Sequence, residues 1–150
     1  MFSIKWRASK SLTAVCAIVI VIAISACAAE PDEAALRRAM DEMEIALESG
    51  KTGDFVDYVT EDFSGNSAAL DARQLRATLV ALALRHEKIG ITASPAEIKL
   101  FGDRATIKVQ VLATGGSWMP QTGQVLDIES SWRRIDGDWK CFAASWSGKW

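Results

Sequence analysis

The chain has 150 residues, 17 of them basic and 19 acidic, with one histidine, three cysteines and a formal net charge of −2. Its basic residues are scattered in runs of no more than two, which excludes the concentrated basic footprint that nucleic acid demands. A single imidazole with so few thiols excludes a cysteine–histidine metal cluster, and nothing else in the composition calls for a metal or cofactor.

In chain order the first signal is a leader. Lys5, Arg7 and Lys10 precede an apolar run from Leu12 to Ile24, and small residues then lead to Cys27. Basic, apolar and small-residue regions in that order are the parts of a secretory signal peptide. The apolar run is shorter than the roughly 20 residues a stable membrane span needs. Ile24-Ser25-Ala26-Cys27 resembles a bacterial lipoprotein signal. That resemblance implies cleavage after residue 26, lipid on Cys27, and an anchor in which each buried acyl methylene contributes about 0.8 kcal/mol. Ala28 resembles the residue that follows the cysteine in outer-membrane lipoproteins, so the expected address is the periplasmic side of a bacterial outer membrane. The leader, residues 1–26, holds three basic and no acidic residues, so the remaining 124 residues carry a net charge near −5. That length suits one domain with a sizeable core. Cys16 leaves with the leader and Cys27 is consumed by lipid. Cys141 is then the last thiol, read as a small buried hydrophobe, and no internal disulfide forms. Residues 27–31 are a short tether, 32–147 the expected domain and 148–150 a tail.

The domain opens with a helix from Asp32 to Ser49. Leu36, Met40, Met43 and Leu47 form its apolar stripe, Asp32 and Glu33 favour its N-terminus, and Gly50 ends it. A second, shorter helix is expected after Thr52 or Gly53, with Phe55, Val59 and Phe63 on its apolar face. Ser64-Gly65-Asn66-Ser67 reads as a loop. The third helix carries the best local signal: Asp71 caps it, Gln74 completes a capping box, and Leu75, Leu79, Leu82 and His86 repeat at helical spacing. From Ile89 the period changes to two. Strands are expected from Ile89 until Pro95 interrupts, then at Glu97–Phe101, Arg104–Leu112, Gln124–Ile135 and Trp139–Trp146. Gly102-Asp103 and Asp136-Gly137 make tight hairpin turns. Ile107, Val109 and Val111 share one face, as do Leu126, Ile128 and Trp132. Three helices followed by an antiparallel meander is an α+β pattern, in which a strongly curved sheet wraps the helices and leaves a cone with one open end.

This order resembles the nuclear transport factor two-like superfamily, which includes the ketosteroid isomerases and the SnoaL-like cyclases. The residues that carry the likeness are Ala46-Leu47-Glu48-Ser49-Gly50, Gly53-Asp54-Phe55 and Glu61-Asp62-Phe63, with Trp132-Arg133-Arg134, Asp136-Gly137-Asp138-Trp139-Lys140 and Trp146 at the end. The resemblance covers about residues 32–147 and extends to small proteobacterial lipoproteins without an assigned activity. The resemblance implies a cystatin-like α+β roll. It does not bring isomerase chemistry with it. Met43 stands about where that family has a tyrosine on its first helix, and Ser64-Gly65-Asn66 offers no carboxylate at the position of the base. A shared fold does not imply a shared function.

Candidate site residues follow from residue type. Tyr58, His86 and Trp132 are candidates for contact with a ligand in the cone. Trp118 and Met119, in a Gly-rich loop, are candidates for a lid or partner contact. The favoured expectation is a lipid-anchored, non-catalytic domain that binds a small apolar molecule or a protein partner, a second copy through the sheet included. One alternative is an isomerase-, cyclase- or hydrolase-like enzyme with His86 or Asp127 as general base, Asp127 sharing a strand face with Glu129. The other is a structural part of envelope assembly.

Overall fold

The computed structural model describes residues 31–85, 89–115 and 123–149. Residues Pro31–Trp150 form a compact unit of their own, whose buried core is complete within it.

The chain runs α1 (Asp32–Glu48), α2 (Thr52–Val56), β1 (Val59–Gly65), β2 (Leu70–Asp71), α3 (Ala72–Leu84), β3 (Ile89–Ala93), β4 (Glu97–Phe101), β5 (Arg104–Gly115), β6 (Gln124–Ile135) and β7 (Asp138–Lys149). Three helices and a meander are present, as the pattern predicted. The capping box is formed in full: the Gln74 amide donates to Asp71 Oδ1 at 2.7 Å, and the Asp71 amide to Gln74 Oε1 at 2.9 Å. The turn between β6 and β7 takes positive φ at both central residues, Asp136 at 53° and Gly137 at 94°, the twist a two-residue hairpin requires. Gly102, at φ 62°, opens the turn between β4 and β5.

Three expectations are corrected. The second helix ends at Val56, and residues 59–65 are a strand. Val59 and Phe63 stand four apart, a spacing that puts both on one face of a helix and equally on one face of a strand. What decides is the partner. β1 lies parallel to β7, pairing Ser64 with Ala143 and Gly65 with Ala144, and the Cys141 amide donates to the Tyr58 carbonyl at 2.8 Å. The sheet is therefore mixed rather than antiparallel, seven strands in the order β2-β1-β7-β6-β5-β3, with β4 also paired to β5. The expected Ser64–Ser67 loop contributes its first two residues to β1. The turn that follows holds Asn66, Ser67 and Ala68 at φ 46°, 59° and 70°.

Leu36 and Ile107 are fully buried, and Phe63, Ala105, Trp132, Trp139 and Cys141 close around them. Met40 and Met43 of the α1 stripe pack against the edge of this core, and with Leu47, Val109, Val111 and Ile128 they leave a space beside it.

Candidate functional site

A cavity of about 730 Å³, open to solvent at its rim, lies between α1 and the concave face of the sheet. Met40, Met43 and Leu47 wall it from the helix side, because the stripe recurs every three to four residues. Val109, Val111, Ile128, Trp132, Cys141 and Ala144 wall it from the sheet side, because alternate strand residues point the same way. Phe55, Val59, Phe63 and Leu75 complete the apolar lining, and Trp146, about one-third exposed, stands between cavity and solvent.

Polar groups on this wall are few. Ser130 is buried on the sheet side, where its Oγ accepts from Trp132 Nε1 at 2.9 Å. Cys141 Sγ lies 3.4 Å from the Ala143 carbonyl, and burial pushes its thiol up to about 12. On the α1 side stand Asp41 and Glu44. The Glu44 carboxyl is raised above the ordinary glutamate range, first by desolvation and then by the neighbouring charges of Glu48 and Asp41. Glu48 Oε1 accepts from the Ile91 amide at 3.1 Å. Arg37 also borders the cavity, paired with Glu33 at 2.7 Å across an exposed i,i+4 contact.

The candidates named from the sequence separate here. Trp132 lines the cavity. Tyr58 does not. It borders a polar groove of about 510 Å³ with Arg38, Glu42, Asp54, Trp139 and Lys140. Its hydroxyl donates to Glu42, and Lys140 Nζ sits 5.8 Å from its ring. The hydrogen bond to Glu42, with desolvation behind it, pushes the phenol up to about 12. Asp127 is no cavity base either. It stands on the other face of the sheet, where its carboxylate accepts from Gln110 at 2.9 Å, and Glu129 beside it pairs with Lys108 at 3.3 Å. Cys27, His86, Trp118 and Met119 lie outside the described residues. Ser130, Asp41 and Glu44 went unnoticed in the sequence. The two carboxylates flank the methionine stripe of α1, the signal that places them beside whatever the stripe faces. Among the described residues no cluster of histidine, cysteine and carboxylates is arranged to hold a metal.

The architecture and cavity together define a nuclear transport factor two-like, cystatin-like α+β fold. An NTF2-like protein from Cytophaga hutchinsonii superposes with a TM-score of 0.66 at 14% identity, over 80% of this chain and 100% of that one. A cystatin-like protein of unknown function from Nostoc punctiforme gives 0.63 at 16%, over 79% and 91%. A candidate scytalone dehydratase from Novosphingobium aromaticivorans gives 0.66 at 16%, over 79% and 85%. At such identities the likeness establishes the fold. No family profile matches the chain, and no curated protein matches it.

Proposed function

We propose that the chain is a lipid-anchored protein on the periplasmic side of a bacterial outer membrane, whose domain binds a small apolar molecule without transforming it. The observation that carries the binding reading is the cavity of about 730 Å³ walled chiefly by apolar side chains from α1, β5, β6 and β7. Ligand sites are concave and largely apolar, with a few placed polar groups, and this one has that composition. The anchoring reading is supported by the basic, apolar and small-residue order that ends in Ile24-Ser25-Ala26-Cys27. A second copy bound through the outer face of the sheet is a further reading, supported by Phe101, which is 64% exposed there.

One observation favours a catalytic alternative. Glu44 borders the cavity with its carboxyl raised above the ordinary glutamate range by desolvation and by the charges of Glu48 and Asp41, and a carboxyl at the edge of a cavity is placed to act as an acid or base. A dehydratase-like reaction would use Glu44 in the role first considered for Asp127 or His86.

Native mass spectrometry of the protein purified from its own envelope, followed by denaturing analysis, tests the binding reading. A co-purifying small molecule released on denaturation is expected. An empty protein that also fails to take up neutral apolar dyes would sink it. Metabolic labelling with palmitate tests the anchor, since a Cys27→Ser chain should lose all label.

A further inference from the structure

The sheet wall of the cavity contains a buried hydroxyl, Ser130, and among the described residues only its acceptor side is engaged. Ser130 is 9% exposed, its Oγ accepts from Trp132 Nε1, and among the described residues nothing accepts its O–H. A hydroxyl supplies one donor as well as its acceptor sites, and a buried donor left unpaired is unfavourable. The Trp132 indole is itself 2% exposed and held by packing, so its bond orients the Ser130 lone pair and leaves the proton free to turn towards the cavity. Around this donor the wall is Val111, Ile128, Cys141 and Ala144. On the facing helix the charges that border the cavity are Asp41 and Glu44 with Arg37, whose own charge is matched by Glu33.

Resting on the binding reading above, we infer that the ligand is an apolar molecule with an uncharged acceptor oxygen, such as an ester or ether, that receives the Ser130 O–H, and that Asp41 and Glu44 exclude anionic amphiphiles. The same apolar chain ending in a carboxylate meets the charges of Asp41 and Glu44 at the helix border of the cavity. An ester of that chain meets no such repulsion and can accept from the buried Ser130 hydroxyl.

The test uses residues Pro31–Trp150, whose core closes within the unit, with cooperative thermal unfolding as the check on each variant. Nile red, a neutral dye, is bound first and displaced by methyl octanoate or by octanoate. Methyl octanoate should displace it at roughly tenfold lower concentration than octanoate. Ser130→Ala should weaken the ester roughly tenfold, the worth of one hydrogen bond, while Nile red still binds. Asp41→Asn with Glu44→Gln, on a solvent-facing helix edge, should admit octanoate and leave the ester unchanged. If Nile red binds but ester and carboxylate compete equally, or Ser130→Ala and the double variant change neither, the assignment of ligand class is overturned and the binding reading stands. If neither dye nor ester binds at all, both are overturned.

Discussion

Cys141 is the sharpest internal reporter of the cavity. It lines the void yet is 4% exposed, and burial raises its thiol from an ordinary 9.0 to about 12. Only the thiolate attacks a disulfide reagent. At pH 8 a shift of that size lowers the thiolate fraction from about one in ten to about one in ten thousand, so labelling of the native protein should run about a thousandfold slower than labelling of the unfolded chain. A fragment starting at Pro31 has this as its only thiol, so a dithiobisnitrobenzoate assay, with and without denaturant, reads one site. The same shift has a linkage consequence. The neutral thiol is favoured in the fold, so this contribution is fully present below pH 9 and is lost as pH rises towards 12, on the order of 4 kcal/mol when complete. Chemical unfolding measured from pH 8 to 11 should show the decline, and Cys141→Ala should flatten it. A native labelling rate within tenfold of the unfolded rate at pH 8 would refute the burial argument, because an open, hydrated cavity would then reach the sulfur.

Four more outcomes follow from the same geometry. Val109→Trp, which projects an indole into the void, should abolish Nile red binding and leave the melting temperature within a few degrees; retained binding would mean the dye sits elsewhere. Leu36→Ala should lose about 2–5 kcal/mol in urea unfolding, since Leu36 is completely buried at the centre of the core. Tyr58 is the chain's single tyrosine, so absorbance at 295 nm titrates it alone. The midpoint should lie near 12 and fall towards 10 in Glu42→Gln, which removes the largest cause of the shift, whereas an unchanged midpoint would show that desolvation sets it. Ala68→Gly should stabilise by about 1 kcal/mol, because an alanine at φ 70° in a run of three left-handed residues carries strain that glycine lacks.

What the sequence determined by itself is local. The capping box of α3 needs only Asp71 and Gln74, three residues apart, and is present with both hydrogen bonds. The β4–β5 and β6–β7 turns depend on two residues each, and the alternation in β5 and β6 assigns inner and outer faces without knowledge of a partner. The α1 stripe was likewise legible, and with it the helical wall of the cavity. What only the tertiary structure decided involves residues far apart in the chain. Residues 59–65 became a strand because β7, some 80 positions later, offers a free edge. The Asn66 side chain, which accepts from the Trp146 amide at 2.9 Å, ties the end of β1 to the same strand. A spacing of four is compatible with helix and strand alike, so no local rule could choose between them. The site shows the same division. Trp132 could be picked as an aromatic on an inner face, but Tyr58 and Trp132 fall in different depressions because the chain turns into β1 directly after Tyr58. Ser130 became notable only when folding enclosed it: a serine on a strand is ordinary until the tertiary structure buries it at the wall of an apolar cavity and sets its Oγ to accept from Trp132.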